Sequence, residues 1–323
     1  MKAIRIHEFG GPEVLKYEDV PEPTPKSNEA VVTVDAAGVN FVDIYQRTGV
    51  YKLTLPATLG LEGGGIVSAI GADVKDVKVG DCVAWTSVPG AYAELAAVPA
   101  DRLVVLPPSV TTRQGAAVML QGTTAHYLSH STFPLKAGDT CLVHAGAGGV
   151  GLLLTQIAKR LGARVITTVS TEDKAALSRE AGADLVVLYT KQDFEAEVKA
   201  FTDGKGVPVV YDSVGQTTVE KSINCLTTRG MLVLFGQSSG VVPAVDPQVL
   251  SQKGSLFFTR PTLVHYIASR AELQRRAQDL FDWIGSSALR LRMEFEFPLK
   301  DAARAHQALT GRQTTGKVLL IPG

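Results

Sequence analysis

From about Thr123 the sequence alternates short apolar strands with helices, and this rhythm predicts an α/β protein built on a doubly wound parallel sheet. Two further observations shape the prediction. The run from Leu142 to Leu152 passes from an apolar strand through Gly146, Gly148 and Gly151 into the apolar face of a helix. The first third of the chain is rich in strands and broken by Gly and Pro, which predicts a separate β-rich domain of irregular barrel type.

In the first third, Ala30–Ala36, Gly64–Gly71 and Asp81–Trp85 read as strands, Pro21, Pro23 and Pro25 as an extended connector, and Asn40–Arg47 as a helix. Gly122–Ser131 reads as a helix, followed by strands at Thr140–Ala145, Arg164–Val169, Leu185–Tyr189, Val209–Asp212, Met231–Phe235 and Ser255–Thr259. Helices are expected at Val150–Leu161, Asp173–Ala181, Phe194–Thr202 and Thr217–Leu226, with Gly162 and Gly182 as C-caps. Right-handed crossovers then give the strand order 3-2-1-4-5-6. Beyond Pro261 come helices at Ser269–Ile284 and Asp301–Leu309, an extended stretch at Leu291–Phe297 and a last strand at Lys317–Ile321, which suits closure of the first domain's sheet. The expected organisation is 1–122 and 262–323 as one domain, with 123–261 inserted as the second.

The 323 residues suffice for two domains. Lys+Arg and Asp+Glu are equal at 32 each, so no net field draws nucleic acid or an acidic membrane. Cys82, Cys141 and Cys225 lie far apart with no CxxC spacing, which argues against a disulfide framework and suits a reducing cytoplasm. Met1–His7 reads as a strand and not as a signal peptide, and no apolar run has transmembrane length.

A strand that turns through GxGxxG into a helix is what a dinucleotide pyrophosphate requires: a tight turn at Gly146, close backbone approach at Gly148, and close helix packing at Gly151. The phosphates would then sit at the N-terminus of the helix that follows, where free N–H groups and the positive dipole end face them. At the end of the second strand of this Rossmann unit, an acidic residue would select NAD. The chain has neutral Ser170 there, with Lys174 one turn on and Tyr189 at the tip of the next strand, so the charge argument favours NADPH. The opposing reading turns Glu172 inward to select NAD. A zinc site is not expected. Leu61 precedes Glu62 where a ligating His would stand, and Ala37-Gly38-Val39-Asn40 offers no cysteine.

Taken together, Gly38-Val39-Asn40-Phe41-Val42-Asp43-Ile44-Tyr45, Gly60–Gly65, Gln121–Ala125, His144–Gly151, Val210–Gly215, Phe235–Gly240 and Leu256–Pro261 resemble the zinc-free quinone oxidoreductases of the medium-chain dehydrogenase/reductase superfamily, the group that includes ζ-crystallin. The resemblance implies a GroES-like catalytic domain, an inserted NADP-binding Rossmann domain, a homodimer, and metal-free reduction of a quinone in an interdomain cleft. It places Asn40 and Thr124 near the nicotinamide, Gly148, Gly149 and Val150 at the pyrophosphate, and Ser170, Lys174 and Tyr189 at the 2′-phosphate. It further implies that Phe235, Ser238, Phe258 and Thr259 flank the nicotinamide half and that Lys317 reaches a phosphate. Thr123 stands where many relatives carry a larger apolar residue. The family also contains reductases of enoyl thioesters.

Hydride transfer to a quinone requires positioning, oxyanion stabilisation and a proton. Asn40 offers an amide donor and equally suits a helix cap. Tyr45 and Tyr51 are candidate proton donors or pocket walls, Asp43 and Glu62 an acid pair or loop anchors, and His144 an acid/base or a satisfied structural histidine. Arg260 can meet phosphate or a subunit partner. The apolar strand Ser255–Phe258 at the sheet's end predicts pairing with a second copy. Two other readings stand beside quinone reduction: an NADPH-dependent reductase of enoyl thioesters or other conjugated carbonyls, and a non-enzymatic protein that sequesters NADPH, binds nucleic acid or serves as a crystallin-like structural protein.

Overall fold

The 11-residue strand Glu29–Val39 is the hub of the first unit, because its nearly continuous burial lets it pair on both edges. It runs antiparallel to Glu62–Ile70 and Leu95–Pro99, and its C-terminal end also pairs with Val318–Ile321. A seven-stranded sheet results, with Phe295–Pro298 at one end and Val104–Val105 at the other, and a three-stranded sheet carries the N-terminal strand Lys2–Ile6. Trp85, Tyr92, Leu103, Leu299 and Leu320 lie in the core of this unit. The computed structural model describes residues 1–323, and they divide into two units: Met1–Thr123 with Ile267–Gly323, and Thr124–Tyr266. The last strand therefore does complete the first unit's sheet.

In the second unit six parallel strands take the order Leu185–Leu188, Arg164–Val169, Thr140–His144, Val207–Asp212, Leu226–Leu234, Phe257–Thr259. This is the expected 3-2-1-4-5-6. The helices Gly149–Arg160, Glu172–Glu180, Phe194–Phe201 and Val219–Asn224 connect them. Gly162 and Gly182 follow the first two helices at φ of 79° and 104°, the left-handed geometry of a C′ glycine.

Elements such as the strand Leu95–Pro99 and the helix Leu263–Tyr266 were not expected, and three further departures follow. The helix expected at Gly122–Ser131 begins at Thr112 and runs to Tyr127, followed by a π turn at Leu128–Thr132. Its start is encoded by a capping box: Thr111 Oγ1 accepts from Gln114 N at 3.2 Å and Gln114 Oε1 accepts from Thr111 N at 2.9 Å. The fifth strand starts at Leu226 and not at Met231, extending over Thr227, Thr228 and Arg229, whose polar character hid it. A short helix at Pro247–Gln252, with Asp246 capping Gln248 N at 2.9 Å, was not anticipated. No helix is long and apolar enough to cross a membrane.

Candidate active site

In the second unit the chain leaves the first Rossmann strand at His144 and turns at Ala145, which takes the left-handed φ of 55°. The tight turn therefore falls on Ala145, one residue before Gly146, and the glycines serve close approach instead. A Cβ at Gly146 would lie 2.5 Å from Thr167 Cβ, and one at Gly151 would lie 2.2 Å from the Ala145 carbonyl oxygen. Gly148 is the N-cap of the helix Gly149–Arg160 and has no side chain to cap it. The first-turn N–H groups of Gly149, Val150 and Gly151 thus have no intrahelical partner, and the positive dipole end faces the loop. This cradle fits a dinucleotide pyrophosphate.

Ser170 and Tyr189 stand just past the carboxyl ends of neighbouring strands, and Lys174 lies in the first turn of the helix that follows Ser170. Tyr189 N donates to Val169 O at 3.1 Å and Thr190 Oγ1 to Ser170 O at 3.0 Å, which ties the two strand ends. Thr171 caps the helix Glu172–Glu180, accepting from Lys174 N at 3.3 Å. Glu172 does not turn inward: it is exposed, and its Oε1 lies 3.6 Å from Lys191 Nζ. No carboxylate is therefore directed at Ser170 from that position, and a second cation stands nearby. On the next strands, Phe235 is half-buried with its N–H on Asp212 O at 2.9 Å, and Ser238 is exposed with its N–H on Ser213 O at 3.1 Å. Phe258 and Thr259 are half-buried on the edge strand, and Thr124 is buried. Arg260 donates to the Leu234 carbonyl at 3.2 Å.

In the first unit, strand register brings three distant residues together. Val318 pairs with Val39 and Ala37 with Gly63, so Lys317, Asn40 and Glu62 stand at adjoining strand ends. Lys317 is 3% exposed, and its ammonium pairs with the fully buried Glu62 carboxylate. Asn40 Oδ1 accepts from Lys317 Nζ at 3.0 Å and from Gln121 Nε2 at 3.2 Å. Its Nδ2 donates to Glu62 Oε2 at 2.9 Å and to Gly38 O at 3.3 Å. All four hydrogen-bonding sites of the carboxamide are used. Asn40 therefore has no amide hydrogen left for an oxyanion, and Lys317, expected at a phosphate, is committed to Glu62. Glu62 is an anchor: its Oε1 also accepts from Leu120 N at 2.5 Å. Gly38 makes the cluster possible, since a Cβ there would lie 2.6 Å from Lys317 Nζ.

Asn40 is also the N-cap of the helix Phe41–Arg47, and Asp43 reciprocates, its Oδ2 accepting from Asn40 N at 2.8 Å. Asp43 Oδ2 accepts from Tyr92 Oη at 3.0 Å as well, while Oδ1 is buried without a partner. Burial pushes the Asp43 carboxyl up to about 7, against the lowering pull of the Asn40 and Tyr92 hydrogen bonds. His306 stands 3.2 Å from Tyr92 Oη and 3.3 Å from Arg47, and burial followed by the Arg47 charge lowers it to about 3. Sequence reading missed Tyr92, His306 and Arg47, because 214 residues separate Tyr92 from His306 and 259 separate Arg47 from it.

Tyr45 packs between Phe41 and Tyr51, with ring centroids at 6.2 and 5.3 Å, the latter pair edge to face. Tyr51 is 41% exposed. Thr123 turns its hydroxyl back onto the Met119 carbonyl of its own helix.

The profile described as Zinc-binding dehydrogenase matches residues 149–285, and that of the Alcohol dehydrogenase GroES-like domain matches residues 26–108. The quinone oxidoreductase of Pseudomonas aeruginosa is 46% identical, with 99% of each chain covered. The chain belongs to the quinone oxidoreductase family. The Escherichia coli quinone oxidoreductase complexed with NADPH superposes with a TM-score of 0.98 at 44% identity, over 100% of both chains. The family extends to the 2-haloacrylate reductase of a Burkholderia species, 40% identical over 98% of each chain. The name of the first profile notwithstanding, the donor set does not fit zinc. Glu62 is taken by a lysine ammonium, Leu61 has no ligand atom, and no group of three or more His, Cys, Asp or Glu is arranged to hold a metal.

Proposed function

We propose that the chain is an NADPH-dependent quinone oxidoreductase. The observation that carries the reading is the full-length match to a quinone oxidoreductase complexed with NADPH, and the geometry of the second unit agrees with it. Gly148, Gly149, Val150 and Gly151 would hold the pyrophosphate, with Gly146 keeping the loop close to the second strand. Ser170, Lys174 and Tyr189 would take the 2′-phosphate, and Phe235, Ser238, Phe258, Thr259 and Thr124 the nicotinamide half. When bound, NADPH supplies the hydride. The chain's own tasks are to orient the acceptor, exclude water and provide a proton. With the Asn40 carboxamide saturated by Gly38, Glu62, Lys317 and Gln121, the proton is assigned to the Tyr45 or Tyr51 Oη and Asn40 to the framework. The edge-to-face Tyr45–Tyr51 pair also presents apolar ring surface to an aromatic acceptor.

A second reading, reduction of conjugated carbonyls, is favoured by the identity to 2-haloacrylate reductase. NADPH oxidation by chelator-treated protein, with an ortho-quinone beside crotonyl-coenzyme A, separates the two. Turnover with the quinone alone is expected, and turnover with the thioester would transfer the chain to the second reading. Lys174→Ala should raise the NADPH KM by on the order of tenfold and leave NADH unchanged, the loss of a charge-assisted contact. Equal loss for both cofactors would remove the 2′-phosphate assignment. We further propose a homodimer paired through the Phe257–Thr259 edge strand, and residence in a reducing cytoplasm, which the three unpaired cysteines support.

A further inference from the structure

Beneath the Gly loop lies a buried polar chain that the proposed reaction does not use. His144, 2% exposed, has Nδ1 2.9 Å from Thr168 Oγ1 and Nε2 3.0 Å from Ser222 Oγ. Ser222 donates to Asp212 Oδ2 at 2.9 Å, and Thr218 Oγ1 donates to the same oxygen at 2.7 Å. Asp212 Oδ1 accepts from Val214 N at 2.8 Å and Gly215 N at 3.0 Å.

The chemistry of its acidic end sets the direction of this chain. A carboxylate only accepts, so Ser222 spends its single proton on Asp212. The Ser222 oxygen can then only accept from His144, which places the ring proton on Nε2. The bare Nδ1 takes the Thr168 hydroxyl proton. The ring is kept neutral, because burial lowers the His144 pKa while the Asp212 charge acts in the opposite sense. The sheet around it is apolar: Leu142, Val143, Val165, Ile166, Val209 and Val210 are fully buried. Polar groups in that setting carry a desolvation cost unless every one is paired, and here the donors and acceptors match along one direction.

The chain joins the three places where the Rossmann strands give way to ligand-facing loops. Ala145 and Gly146 follow His144, and Gly146 N donates to Thr168 O at 3.0 Å. Ser170 comes two residues after Thr168. Asp212 gathers the N–H groups of the Val214–Gly215 turn, onto whose carbonyls at Ser213 and Val214 Ser238 N and Ser239 N dock at 3.1 and 2.9 Å. We infer that His144 is a positioning residue for NADPH: through Thr168 on one side and Ser222–Asp212 on the other, it sets the pyrophosphate loop, the 2′-phosphate turn and the Ser238 loop in mutual register. The inference rests on the NADPH reading above.

Direct NADPH binding to the full chain, followed by fluorescence, tests it apart from any acceptor. His144→Phe keeps an aromatic ring against Phe194, whose centroid lies 4.8 Å away, but removes both hydrogen bonds. Leaving Ser222 and Thr168 without that partner should raise the NADPH Kd by on the order of tenfold, with kcat at saturating NADPH and the quinone KM unchanged. His144→Gln, which restores a donor toward Ser222, should recover part of the loss. Ser222→Ala, a smaller change, should weaken NADPH in the same direction if the Phe variant does not fold. The imidazole nitrogen resonances should show the Nε2–H neutral form across roughly pH 6 to 8. NADPH affinities within about twofold of wild type for both His144→Phe and Ser222→Ala would overturn the inference, as would a fall in kcat at constant Kd. A wild-type protein that does not bind NADPH would instead overturn the functional reading on which it rests.

Discussion

At the scale of single residues, the buried polar groups of the first unit are more informative than its exposed ones. Lys317 and Glu62 neutralise one another inside the sheet, and removing either leaves a buried charge. Lys317→Met should cost about 3–5 kcal/mol in urea unfolding, and adding Glu62→Gln should restore much of it. A loss below about 1 kcal/mol in the single variant would show that the pair is not a structural anchor. Asp43 and His306 make opposite contributions to the pH dependence of stability. The native Asp43 carboxyl holds its proton up to about 7, against an ordinary value of 3.8, so its contribution is complete below pH 3.8 and is lost as pH rises toward 7. Native His306 stays neutral down to about 3, against 6.5, so its contribution is complete above pH 6.5 and is lost as pH falls toward 3. Unfolding free energies measured across that range should therefore rise more steeply with pH in Asp43→Asn than in wild type, and less steeply in His306→Gln. Unchanged slopes in both would contradict the assigned burial effects.

Among the elements, those with a strong local signal were legible in the sequence, and those defined by a partner were not. The first Rossmann strand, its loop and its helix were read to within a residue, because an apolar run, closely spaced glycines and an amphipathic helix are all local features. The helix Thr112–Tyr127 was half missed, although Thr111 and Gln114 carry its capping box, since Gly115 and Gly122 weaken the helical pattern. Within the loop, the motif puts the tight turn at Gly146 whereas the chain turns at Ala145, and the carbonyl that Gly151 must clear is known only once that turn is built. Gly151→Ala should lower stability by about 1–3 kcal/mol, since its Cβ would press on the Ala145 carbonyl. It should also shrink the rise in Tm that saturating NADPH produces, both readable by thermal unfolding. An unshifted apo Tm with a full NADPH response would show that the helix can retreat without cost.

At the scale of the whole molecule, the second unit's open sheet ends at Leu185–Leu188 on one side and at Phe257–Thr259 on the other, where Phe257 is 56% exposed. An apolar edge strand of this kind pairs with another chain unless it is blocked. Phe257→Lys should convert a dimer to a monomer in sedimentation at micromolar concentration, and a wild-type protein that sediments as a monomer would remove the proposal. The balance of 32 basic and 32 acidic residues opposes no such pairing. By itself the sequence determined the two-domain α/β class, the strand order of the parallel sheet, the Gly loop and the neutral Ser170 at the position where an acidic residue would select NAD. Each of these follows from periodicity, from neighbours within a few residues or, for the strand order, from the fixed handedness of the crossovers. The tertiary structure alone decided that Asn40 is saturated, that Lys317 is an internal counter-ion, that Glu172 turns to Lys191, and that His144 closes a directed chain to Asp212. Those outcomes depend on which strand ends meet, and registers such as Val318 with Val39 join residues hundreds of positions apart that no local pattern relates.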